Sequence, residues 1–176
     1  MSRHPFVATV VALALAALAA PAAATAACHH TGTLPRNGAQ LHAARTAVLC
    51  LVNRQRAAHH LHRLAANRTL RSVGADLAKD MVRRRYFDHT TPDGRTFSDR
   101  LRGHHWHGRS AGENIAWGSG GLGTPAEIVD GWMHSPGHRA NILNPRFRRA
   151  GVGVAKGAPE LDVGPAATYA MDYDAP

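Results

Sequence analysis

The chain is 176 residues long with a formal net charge of +9, 44% hydrophobic and 19% charged residues. That length fits one domain of ordinary core size and excludes a multidomain enzyme. The near-average composition excludes a wholly disordered chain.

Residues 1–26 read as a secretory signal: a basic start (Arg3, His4), an apolar run from Phe6 to Ala20, and small residues up to Ala24-Thr25-Ala26. Cleavage is expected after Ala26. The run is shorter than the ~20 residues a spanning helix needs, and no second apolar segment follows, so no transmembrane segment is expected in the mature chain. A lipid-anchored form through Cys28 is disfavoured by Thr25, where a large aliphatic residue would be wanted. Export places Cys28 and Cys50, the two cysteines, in an oxidising compartment, where an even count favours a disulfide. Their separation of about 22 residues gives a loop-closure stabilisation of roughly 3 kcal/mol. Residues 27–42 then form an N-terminal segment tied to the first helix.

From Gln40 to about Ala58, Leu41, Ala44, Val48, Leu51 and Val52 recur at helical spacing, with Arg45, Asn53 and Arg56 off that face. A second helix starts at an Asn67 cap, runs through Leu70, Val73, Leu77 and Met81, and ends in basic residues near Tyr86. Residues 88–94 (Asp-His-Thr-Thr-Pro-Asp-Gly) are a turn, and 96–101 a short helical piece. A Gly-rich loop over 118–123 leads to Thr124-Pro125-x-Glu127, which reads as an N-cap, a first-turn proline and a capping-box glutamate. This third helix directs Ile128, Val129 and Trp132 inward. Ser135-Pro136 opens a fourth, ending near Asn144-Pro145. Gly151–Ala155 and Thr168–Tyr173 read as strands joined by a loop suited to antiparallel neighbours. Helices first and strands last indicate an α+β domain with a small antiparallel sheet.

The scattered positive charge, without a helix-turn-helix or aromatic platform, argues against nucleic acid and for an anionic cell-envelope component or lipid surface as partner. Most of the thirteen histidines, such as His59-His60 and His104-His105, read as solvated surface. Three segments differ in enclosing an ionisable residue among structure-setting ones: Phe87-Asp88-His89, Gly112-Glu113-Asn114-Ile115, and Ser135-Pro136-Gly137-His138-Arg139-Ala140-Asn141-Ile142. His138 sits at the third position of its helix, where the dipole favours a neutral imidazole. Asn114 and Asn141 read as residues that hold Glu113 and the fourth helix in place. Ser135 reads as a helix cap, which discounts it as a nucleophile.

Six segments occur in an order that resembles the CAP superfamily (cysteine-rich secretory, antigen 5 and pathogenesis-related 1) in its bacterial SCP-like branch. They are Asn53-Arg54-Gln55-Arg56-Ala57, residues 87–94, residues 112–116, Trp132-Met133-His134-Ser135-Pro136-Gly137-His138 onward, Gly151-Val152-Gly153-Val154, and residues 169–173. The resemblance spans about residues 43–174 and implies an α-β-α sandwich with a cleft of two histidines and two glutamates. By motif, these would be His89, His138 and Glu113. The second glutamate is replaced by Ser135, and Glu127 is accounted for by its cap.

The cleft expected from this is a two-imidazole, one-carboxylate set able to hold zinc or another divalent metal with an open position. The function implied is a secreted, monomeric, non-enzymatic binding module, taking a metal, a lipid or sterol, or an envelope component. The alternative is a metal-dependent hydrolase in which His89, His138 and Glu113 hold or activate water, although no H-E-x-x-H motif or nucleophile elbow is present.

Overall fold

A computed structural model describes residues 27–176; the expected signal segment lies outside them. In chain order the elements are α1 (Gly38–Ala58), β1 (Ala65–Ala66), α2 (Arg68–Arg84), α3 (Phe97–Gly103), β2 (Ser110–Ser119), α4 (Pro125–His134), α5 (Pro136–Ile142), β3 (Arg149–Lys156) and β4 (Ala166–Ala175). A 3-10 turn at Gly120–Gly123 links β2 to α4. The sheet order is β1-β3-β4-β2. It is antiparallel except for β1, which pairs parallel to the start of β3 over two residues. The fold is thus α+β with a mixed sheet, as expected except for β1 and β2, which the sequence pattern does not mark.

Helices cover both faces of the sheet, and the two contacts differ in kind. On one face α1, α4 and α5 bury large side chains: Val48, Val52, Ile128, Trp132 and Ile142 pack with Met171, Tyr169 and Tyr173 of β4. On the other, α2 lies against backbone. A Cβ on Gly153 would stand 2.1 Å from Gly74 C and Ala75 N, and one on Gly74 would stand 2.7 Å from the Ala170 carbonyl oxygen. Side chains there are excluded by space, so the paired glycines of β3 bring α2 down onto the sheet. Leu77, Ala78 and Met81 then bury against Ile115, Ala155 and Ala170.

Local signals account for several boundaries. Asn67 Oδ1 accepts from Leu70 N (3.0 Å) and starts α2, which closes on Arg85 in a left-handed conformation. The Thr124–Glu127 capping box does not form: Thr124 occupies the N-cap position without a side-chain bond, and Pro125 alone begins α4. A capping box stands instead at Thr96–Asp99, at the start of α3. The Cys28–Cys50 disulfide is present, with Cα atoms 5.7 Å apart, and ties the N-terminal segment to α1.

Asn53 and Arg56 are buried, against the expectation that they lie off the core face. Asn53 binds Leu64 at both its N–H and its carbonyl, at 2.7 and 3.1 Å. The Arg56 guanidinium is fully buried and donates to the carbonyls of His62, Ile142, Asn144 and Phe147. It therefore ties the end of α1 to the end of α5 and the entry to β3. Carbonyl dipoles satisfy the charge in place of a carboxylate, which is why a polar pattern on α1 points inward.

Candidate functional site

Glu113 lies on β2 with its side chain on the α2 face of the sheet, 2% exposed. Buried there, its charge needs a partner, and α3 supplies one: Arg100 Nη2 donates to both Glu113 oxygens at 2.7 Å. Arg100 Nη1 donates to the His89 carbonyl at 2.6 Å, which fixes the turn between α2 and α3. The His89 ring comes back over the same carboxylate, with Nδ1 2.8 Å from Glu113 Oε1. That hydrogen bond raises the His89 pKa above its ordinary value, against the opposing effect of partial burial. When the ring is neutral, the carboxylate holds its proton on Nδ1 and Nε2 keeps a lone pair.

Two aspartates on β4 complete this layer. Asp172 is directly opposite Glu113 in the β2–β4 register. It is fully buried, and neither oxygen has a hydrogen-bond partner. Burial first, and then the adjacent Glu113 charge, push its pKa well above the carboxylate range, with Arg100 opposing. Burial therefore favours the neutral form of Asp172 over the carboxylate. Asp174 stays paired, accepting from Arg149 Nε and Nη2 at 2.9 and 2.7 Å and from Trp106 Nε1 at 2.7 Å.

Asn114, the next residue on β2, points through the sheet to the opposite layer. Its Nδ2 donates to the His138 carbonyl (3.0 Å) and to Tyr173 Oη (3.1 Å). Asn141 Nδ2 donates to the Glu113 carbonyl (3.2 Å) and to Asn114 Oδ1 (2.9 Å). The two amides thus bind α5 to the outer edge of β2 and set the position of His138. The His138 pKa is lowered, first by burial and then by the positive charge of His89. Its ring centroid lies 6.5 Å from that of Trp132. Trp132 itself is core, 1% exposed, with Nε1 donating to the Ile115 carbonyl at 3.1 Å.

His138 opens onto a groove of about 510 Å³ between β2 and α4, walled by Phe87, Trp117, Leu122 and Trp132. Glu127 and Ser135 line this groove too. Neither is engaged as a cap: the Ser135 hydroxyl makes no bond to the amides of α5, so that ground for discounting it as a nucleophile falls.

Glu113 does not fit the expected three-ligand metal set. Both its oxygens accept from a guanidinium, whose charge also opposes a divalent cation. Among the described residues no three His, Cys, Asp or Glu side chains converge at metal-binding separation. The carboxylate instead stands behind His89, as a residue that orients an imidazole, which leaves His89 Nε2 and His138 as the available donors.

Sequence reasoning missed Arg100 and Asp172. Nothing distinguishes Arg100 from the other arginines of a basic chain. Asp172, by contrast, stands among the apolar residues of a segment read as a strand, and an ionisable residue in such a run was a usable signal.

Residues 49–170 match the Cysteine-rich secretory protein family, CAP. Among curated proteins the chain is 38% identical over 109 residues to the uncharacterized protein YkwD of Bacillus subtilis, covering 62% of this chain and 41% of that one. It is 36% identical over 107 residues to the uncharacterized membrane protein YlbC of the same organism, covering 61% and 30%. The chain thus spans less than half the length of these curated relatives. Among solved structures, an extracellular SCP-domain protein of Bacillus anthracis superposes with a TM-score of 0.68 at 28% identity, covering 81% of this chain and 45% of that one. An outer surface protein of Borrelia burgdorferi shares the fold, with a TM-score of 0.62 at 20% identity, covering 73% and 89%. With this match over most of its length, on an α-β-α sandwich of the same kind, the chain belongs to the CAP (cysteine-rich secretory protein) family.

Proposed function

We propose that the protein is an extracellular, non-enzymatic binding module whose ligand seat is the groove between β2 and α4. An extracellular location is supported by the leader-like residues 1–26, by the Cys28–Cys50 disulfide, and by the extracellular description of the B. anthracis neighbour. No helix among the described residues is long and apolar enough to cross a membrane. The observation that carries the reading is a division of labour. The ionisable centre is tied up internally by Arg100, while the adjoining groove presents aromatic and aliphatic walls, including Leu122 at 67% exposure and Phe87 at 47%. Apolar walls with few polar groups suit a lipid-like ligand or an apolar part of an envelope component.

The test is a titration with a fluorescent polyene fatty acid, read by energy transfer from Trp117 and Trp132. Saturable binding should weaken at least roughly tenfold in Leu122→Asp, which puts a charge on an apolar wall. Equal binding by the variant, or none by the parent, would remove the groove from the proposal.

A second reading rests on the His89–Glu113 pair. An imidazole oriented by a carboxylate and keeping Nε2 free has the form of a general base or a metal donor. Calorimetric zinc titration of the protein beside a folded His89→Ala, His138→Ala variant separates these readings. One stoichiometric site lost in the variant, with ester or peptide turnover lost in Glu113→Gln, would establish a hydrolase. Identical titrations would remove the metal site.

A further inference from the structure

A second pocket, on the side of the sheet edge away from Glu113, carries an arrangement that the groove and the histidines do not explain. It encloses about 260 Å³ where α1, the start of α2 and β3 meet. His42, Arg45, Thr46 and Leu49 enter it from a single stripe of α1, at the i, i+3, i+4, i+7 spacing. Asn67 and Arg71 enter from the first turn of α2, and Val152 lies at its floor.

The charges in it have one sign. No aspartate or glutamate lines the pocket, and neither arginine has an ion pair among the described residues. Arg45 Nε is buried without a hydrogen-bond partner. Partial burial and the charge of Arg71 both lower the Arg45 pKa, so the two guanidinium groups repel each other across this space. The N-terminal end of α2, a helix of 17 residues, adds its partial positive charge on the same side. Arg100 Nε is likewise without a partner, but the buried guanidinium groups elsewhere have their charge answered, that of Arg56 by carbonyls and that of Arg100 by Glu113. Two neighbouring guanidinium groups without a counter-charge, beside the start of a helix, suit an oxyanion.

We propose that this pocket binds a phosphate group, held between Arg45 and Arg71 at the start of α2, with the apolar floor taking a short substituent of a phosphate ester. Arginine pairs suit phosphate because each fork meets two of its oxygens, and a dianion balances two cations. Leu49 and Val152 present no polar group to the ligand, so the floor favours an ester over the free ion.

Calorimetry at low ionic strength, with inorganic phosphate and with n-butyl phosphate as separate probes, tests this on the whole protein. One saturable site is expected, together with a rise in Tm on adding phosphate that chloride at equal ionic strength does not produce. Arg45→Gln and Arg71→Gln should each weaken binding at least roughly tenfold, the loss of one charge-assisted bond. Arg54→Gln removes the same charge from an exposed position on α1 and should leave binding unchanged. Tighter binding of butyl phosphate is expected; equal binding overturns the role given to the floor and leaves a site for the free ion. Absence of saturable binding by either probe overturns it, as does an Arg54→Gln loss equal to that of Arg71→Gln. Arg71 is exposed, so its replacement keeps the test valid if Arg45→Gln fails to fold.

Discussion

Arg56 and Arg100 are both buried guanidinium groups, on opposite sides of one sheet, and their surroundings differ in one respect. Arg56 is held by four backbone carbonyls, none of which titrates. Arg100 is held by a carboxylate that also carries His89 and faces the buried Asp172. The first is a fixed joint between α1, α5 and β3. The second is a cation in a cluster whose protonation can change. Burial of charge alone therefore does not mark a site; the marker is whether the partners can themselves gain or lose a proton.

The largest effect that would sharpen this contrast is expected for Arg56→Met. It strands four carbonyls in the core and should cost about 4 kcal/mol in urea unfolding. The loss should be the same at pH 4 and pH 7, because carbonyls do not titrate. A loss that changed markedly between those pH values would break the contrast.

Arg100→Met comes next, at about 3 kcal/mol near neutrality, since it leaves the buried Glu113 charge with the half-exposed His89 ring in place of the guanidinium. Here the loss should shrink on acidification, because a buried carboxylate without its cation takes up a proton. The Arg100→Met, Glu113→Gln double variant should recover much of it, and a double-mutant cycle measures that coupling.

The smallest effect, with the opposite sign, is expected for Asp172→Asn. Because the folded-state pKa of Asp172 is raised, the folded chain binds more protons than the unfolded chain above the ordinary aspartate pKa. Its contribution to stability is present below that pKa and is lost as pH rises towards the folded value. Asparagine removes this dependence, so the variant should be the more stable protein at neutral pH and show a flatter stability profile between pH 4 and pH 7. A less stable variant at neutral pH would mean that Asp172 carries a compensated charge.

Much of the helical frame was legible because it rests on local chemistry. Asn67 caps α2, Pro125 and Pro136 start α4 and α5, and the apolar stripe of α2 meets the sheet. Strand β2 was not legible. Its Glu113 and Asn114 are both buried, one on each face, so the alternation of polar and apolar residues that marks a half-exposed strand is absent. The same property hid part of the site. His89, Glu113 and His138 were found through segment order, whereas Arg100 became evident only once α3 was laid against β2. Asn53 and Arg56 were misplaced for a related reason: helical periodicity assigns polar residues outward, and their inward role depends on carbonyls that arrive from Leu64 and from about ninety residues further along the chain. Glu127 and Thr124 show the converse, a correct local motif that the tertiary structure leaves unused.

The contact of α2 with the glycines of β3 has a mechanical consequence. Where backbone meets backbone at the separation set by Gly74 and Gly153, few voids are left to eliminate. The volume lost on unfolding under hydrostatic pressure scales with such voids. The crossing of α2 over these glycines therefore contributes little to that volume change, and the buried side chains around it contribute more.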